Sequence, residues 1–104
     1  MVTIKDPIIE IEAGTALDST AKEVYRNLQV LYNTVAGEQA LDRDFGIDTS
    51  ILDHPQENAK VLLVAEYVRK TERYEPRASV ARVEWTAGQS QDGTMTPKVV
   101  IELV

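Results

Sequence analysis

From Pro7 to Glu12 the chain alternates apolar and acidic residues (Pro7-Ile8-Ile9-Glu10-Ile11-Glu12), which predicts a short strand with one wet face. Gly14 and Thr15 interrupt it. Thr20-Ala21-Lys22-Glu23 has the form of a capping box, in which hydroxyl and carboxylate satisfy the first amides of a helix. Val24, Leu28, Leu31 and Val35 then recur at helical spacing, with Tyr25 and Tyr32 beside the stripe. Gly37 is the expected stop. The stretch Ala40 to Asp48 mixes charge with large apolar residues and predicts an extended loop pinned by Phe45. A second helix is expected to open at His54-Pro55 and to carry Glu57 near its positive end. Ala59, Leu62, Leu63, Tyr67 and Val68 form its apolar face, and Arg69, Lys70 and Arg73 suit its C-terminal turns. Pro76 ends it.

Beyond Pro76 the period becomes two. Ser79, Ala81, Val83 and Trp85 are expected on one face of a strand, with Val80, Arg82, Glu84 and Thr86 on the other. This places Trp85 in the core. Gly88 to Gly93 predicts a hairpin loop that turns on Asp92-Gly93. The return strand sets Pro97, Val99, Ile101 and Leu103 on one face and Lys98, Val100, Glu102 and Val104 on the other. With Val100 and Val104 apolar on the wet side, it predicts an edge open to a partner strand, guarded only by Lys98 and Glu102. The fold class is therefore α+β: two main helices packed on a small sheet containing a C-terminal antiparallel hairpin. Residues 1–104 are read as one domain, comprising an N-terminal strand or arm over 1–19 and a main body over 20–104.

Composition narrows the classes. Seventeen acidic against eleven basic side chains give a net charge of −6, which disfavours a phosphate-backbone partner. The chain has no cysteine, so a disulfide framework and a thiolate site are excluded. No apolar run approaches the ~20 residues that span a bilayer. The N-terminus has no signal-peptide pattern, so synthesis in the cytoplasm is expected.

Candidate chemistry is sparse. The carboxylates Glu38, Asp42, Asp44, Asp48 and Glu75 could serve a glycosidase only if one were desolvated and held protonated. Most lie in loops near Arg43 or Arg77, a solvated or ion-paired setting. His54 is the single histidine, with no metal-ligand spacing around it. Ser19, Ser50, Ser79 and Ser90 have no base but that histidine. No glycine-rich phosphate loop is present. Catalytic residues, metal and cofactor are all expected to be none. The less ordinary string is Glu75-Pro76-Arg77, where proline fixes the backbone and the flanking charges are presented at a set angle. It reads either as a helix-ending turn with a surface ion pair of about 0–1 kcal/mol, or as a rigid charged corner for docking.

Thr34-Val35-Ala36-Gly37-Glu38, Asp42-Arg43-Asp44-Phe45-Gly46 and Glu75-Pro76-Arg77, followed by an alternating strand and an Asp-Gly turn, resemble a phage baseplate family. It is the family of gene-twenty-five-like wedge proteins, also called phage protein W-like, the sheath initiators of contractile tails and related injection machines. The resemblance spans roughly residues 20 to 104. It departs from the pattern at Arg43, where the family often has proline, and in the first 19 residues, which have no counterpart. The resemblance implies a structural part of a phage tail, tailocin or similar machine that docks on the wedge and tube and nucleates the sheath. It also implies six copies, and a contact with the wedge core through Glu75, Pro76 and Arg77. Lys98, Val100, Glu102 and Val104 are the expected strand-addition residues. Partners are then wedge, tube and sheath proteins, without nucleic acid or membrane. Two alternatives stand beside it: a lysozyme-like peptidoglycan hydrolase, a label some relatives carry, and an adaptor for a regulatory protein.

Overall fold

A computed structural model describes residues 3–4, 7–12, 19–38, 41–85 and 94–103. In chain order the elements are β1 (Thr3–Ile4), β2 (Ile8–Glu12), α1 (Ser19–Tyr32), a 3-10 turn (Thr49–Asp53), α2 (Gln56–Tyr74), β3 (Ala78–Trp85), β4 (Thr94–Met95) and β5 (Pro97–Leu103). Two helices lie on one face of a three-stranded sheet ordered β2-β5-β3, and β1 and β4 form a separate parallel pair. The α+β expectation holds. The loop from Gly88 to Gly93, Thr86, Gly14, Thr15, Ala40 and Val104 lie outside the described residues.

The core forms where the predicted stripes meet. Val24, Leu28 and Leu31 of α1 interlock with Ala59, Leu63 and Tyr67 of α2 and with Ile9, Val99 and Ile101 from the sheet, all buried. Each of the buried Val, Leu and Ile side chains contributes about 1.5–3 kcal/mol. Tyr32 and Tyr67 meet edge-on, ring centroids 4.9 Å apart. The Tyr32 hydroxyl shares a 2.5 Å hydrogen bond with Thr71 Oγ1, and burial pushes its pKa up to about 12. Burial raises the Tyr67 phenol as well.

Several expectations are corrected. The first helix opens at Ser19, so Thr20 lies within it instead of capping it, and the Glu23 carboxylate bonds Arg77. The helix stops at Tyr32, short of Gly37, because Val35 leaves it to bridge Ile47. Leu62 is exposed, whereas Glu66, Lys70 and Thr71, all polar, are buried on the same helix. His54 follows the 3-10 turn as its C-cap, and Pro55 precedes α2 at the N-cap.

The face assignment of β3 fails at one residue. Pairing with β5 shifts register between Val80 and Arg82, so Ala81 is the extra residue of a bulge. One added residue in a period of two reverses the faces beyond it. Ala78 and Val80 before the bulge, and Val83 and Trp85 after it, consequently share the core face with Leu103, Ile101, Val99 and Pro97. Ser79 and Ala81 do not belong to that face. Trp85 does pack on the core, though only half-buried, with Lys60 Nζ 5.7 Å from its ring centre.

The largest correction concerns β5. It is the middle strand, antiparallel to β3 and parallel to β2, with Ile8 to Glu12 registered against Lys98 to Glu102. Both sides of Lys98, Val100 and Glu102 are therefore occupied within the chain. The free edge that alternation suggested is absent, because Ile8–Glu12 fills it.

Candidate docking site

Two loops that look unrelated in sequence are joined in space. Val35 and Ile47 form a parallel bridge: Ala36 N donates to Ile47 O at 3.0 Å and Ile47 N to Thr34 O at 2.8 Å. Gly37 N adds a 2.8 Å bond to Arg43 O. Gly46 sits inside this crossing at φ +110°, where a Cβ would stand 2.5 Å from Thr34 O. Only glycine fits there. Phe45 then packs edge-on against Tyr74 at 5.0 Å, as the loop-pinning expectation required.

The loop is clamped to α2 by charge. Lys70 is fully buried; its Nζ donates to Asp44 O and to Asp44 Oδ1 (3.2 Å) and lies 3.6 Å from Glu66 Oε2. Glu66 also accepts from Asp48 N at 2.9 Å and from Arg69 at 2.9 Å. Arg73 Nη1 reaches Asp44 Oδ2 at 3.0 Å, and the Tyr74 hydroxyl donates to Asp42 at 2.9 Å. Hydrogen bonding from Lys70 holds the Asp44 carboxyl below its usual range, against the opposing effect of desolvation. Asp48 is lowered chiefly by bonds from Ser50, whose amide and hydroxyl it accepts as cap of the 3-10 turn.

The Glu75-Pro76-Arg77 corner closes the other end of the helix. Glu75 is the C-cap of α2, its amide donating to Thr71 O at 2.8 Å, and its carboxylate is buried. Arg77 grips that carboxylate with Nε at 2.8 Å and Nη2 at 3.1 Å. Asn27 of α1 donates a third bond at 2.9 Å, and Arg77 Nη2 continues to Glu23 of α1 at 3.1 Å. The corner thus pins α1 to the end of α2. Hydrogen bonding from Arg77, followed by that from Asn27, holds Glu75 below its usual range although burial opposes it. Pro76 is exposed and the Arg77 side chain is 42% exposed, with no partner for Nη1 among the described residues. A cleft of about 280 Å³ lies alongside, lined by Asn27, Val30, Leu31, Phe45, Tyr74 and Glu75.

The other candidates separate from this corner. Lys98, Val100 and Glu102 lie on the sheet face away from the helices. There Lys98 pairs with Glu10 at 3.3 Å and Glu84 at 3.8 Å, while Arg82 pairs with Glu84 at 2.7 Å and Glu12 at 3.2 Å. Val100 is buried between these strands. Glu38, His54 and Ser50 are exposed and Ser79 is half-buried. Among the described residues no three His, Cys, Asp or Glu side chains gather as a metal site. The buried Glu66-Lys70 pair escaped the sequence reading; the i,i+4 spacing of opposite charges was its only signal.

Two helices on one face of a small sheet, with side-chain clusters that tie the chain's own elements together, define an α+β domain. The chain belongs to the baseplate wedge protein gp25 family, whose sequence profile matches residues 18–104. It is thus a structural component of the baseplate of a contractile phage tail or related machine, and it interacts with other baseplate components. The fold is similar to the crystal structure of a Geobacter sulfurreducens protein described as a tail lysozyme. That match has TM-score 0.57 and 16% identity, and covers 88% of this chain and 96% of the other. Likeness at that identity concerns the fold alone. No curated protein matches the chain.

Proposed function

We propose that the chain docks on the wedge core through Pro76 and Arg77, and from there organises the start of the sheath around the tail tube, in six copies. The observation that carries the docking is the half-used guanidinium. Two of its nitrogens are locked on a buried carboxylate, which fixes its plane, and Nη1 is left without a partner among the described residues on a side chain that is 42% exposed. A pre-oriented Arg fork recognises a carboxylate or backbone carbonyls at little entropic cost. Because β5 is internal, strand addition by a sheath subunit falls to an edge strand instead. Between the two, β3 carries a bulge, a device that blunts edges, whereas β2 runs without one through Ile8–Glu12.

The protein acts without hydrolysis in this reading. A general acid needs its pKa raised, and the Asp44, Asp48 and Glu75 carboxyls are all lowered. Clearing of purified peptidoglycan that disappears with Glu66→Gln or Glu75→Gln in folded protein would refute this part. Docking is tested with Arg77→Ala in a tail-producing strain lacking the native copy. Incorporation per folded molecule should drop by more than tenfold, the loss expected when a desolvated interface charge worth ~2–5 kcal/mol is removed. Incorporation that merely follows the folded fraction assigns Arg77 to stability alone.

A further inference from the structure

The face of α2 turned away from the core carries a second apolar stripe. Val61, Val64, Ala65 and Val68 follow spacings of three and four, the pattern of one helix side. Val61 is 70% exposed, Ala65 is exposed, and Val64 and Val68 are half-buried. None of the four is in the core cluster or packed against it. All four are small, so another backbone can approach closely. Projected down the helix axis, Glu57 and Glu72 fall on this same side, one at each end of the stripe. They are separated by about 22 Å along the helix, from a rise of roughly 1.5 Å per residue. Among the described residues neither carboxylate has an ion-pair partner, whereas Glu66, the third acidic side chain of α2, has two.

The charge pattern selects the occupant. A second copy of α2 laid antiparallel would set Glu57 against Glu72 at both ends, and a parallel copy would set each acid against itself. Either arrangement is repulsive. We infer that this face of α2 receives an amphipathic helix of another baseplate protein, with a small-residue apolar stripe and a Lys or Arg near each end to meet Glu57 and Glu72. Such helix-on-helix docking is read through anchors at the i, i+3, i+4 and i+7 positions, and the end charges set direction and register. The surface is separate from the Glu75–Arg77 corner, so failure of either leaves the other standing.

The test exploits the absence of cysteine: Val61→Cys offers a single thiol for a short photo-crosslinker in assembled tails. The crosslinked peptide is sequenced by mass spectrometry. A partner segment of helical period with basic residues about four turns apart is the expected result. A crosslink to a second copy, to an acidic or strand-forming segment, or to nothing overturns the inference. The companion variant Glu57→Lys/Glu72→Lys loses a favourable helix-dipole charge in the first turn and gains one near the last, so it should melt close to the native chain. Its yield of that crosslink should fall roughly tenfold. An unchanged yield also overturns the inference.

Discussion

The two ends of the polar seam on α2 use the same ingredients for different purposes. Around Lys70, a buried cation, Asp44, Glu66, Arg69 and Arg73 spend their charge on one another, binding the 42–48 loop to the helix. Around Glu75, a buried anion is gripped by a cation that stays half outside. The first network has its central charge sealed from water. The second holds an arginine on the Glu75 carboxylate with its side chain partly exposed, which is where the proposed docking would fall. A buried charge is thus a poor guide to function by itself; what distinguishes the sites is the sign of the buried group, a cation in the first and an anion in the second.

Breaking the sealed network should have the largest effect. Lys70→Met fills similar volume but takes the buried cation from Glu66 and Asp44, leaving them only the exposed Arg69 and Arg73 as cationic partners, so it should cost about 3 kcal/mol, read from a denaturation midpoint. Gly46→Ala comes next, about 1–3 kcal/mol for its backbone conformation alone. The close approach of Thr34 O adds to that, and the bridge amides of Ala36 and Ile47 should lose exchange protection. Arg77→Ala should cost about 1–3 kcal/mol, because Asn27 is then the one side-chain donor left to Glu75 among the described residues. That exceeds the 0–1 kcal/mol expected of an exposed pair, since the partner carboxylate is buried.

Acid sharpens the comparison with the smallest effect. The Glu75 and Asp44 carboxyls lie below their ordinary values of 4.5 and 3.8 in the folded protein. Their stabilisation is therefore complete above those values and lost as pH falls through the lower, folded-state values. The melting temperature should hold from neutrality to about pH 5 and decline below it. Glu75→Gln should flatten part of that decline.

The helices and strands were legible because their apolar spacing is regular: Val24, Leu28 and Leu31 for one, Leu63 and Tyr67 for the other, and Pro97 to Leu103 for the strand. Three features were not. The bulge at Ala81 leaves no mark, since alternation on either side of it looks continuous while the faces exchange. The place of β5 depends on β2, a parallel neighbour distant in sequence, so a pattern that suggests an exposed edge belongs instead to a central strand paired along both of its edges. Lys70 suits the C-terminal turns of α2 by the helix dipole, and its burial comes only from tertiary contact with Asp44 and from Glu66 one turn back. The corner at Glu75–Arg77 was visible as a rigid charged turn. That its acid is buried and its base exposed was not.

An electron cryo-microscopy reconstruction of the assembled baseplate tests the contrast between the two networks most directly. The account predicts a partner chain against Pro76 with an acceptor within hydrogen-bonding distance of Arg77 Nη1, and no partner side chain entering the Lys70 cluster. A corner left open to solvent, with a partner inserted between the 42–48 loop and α2, would contradict it.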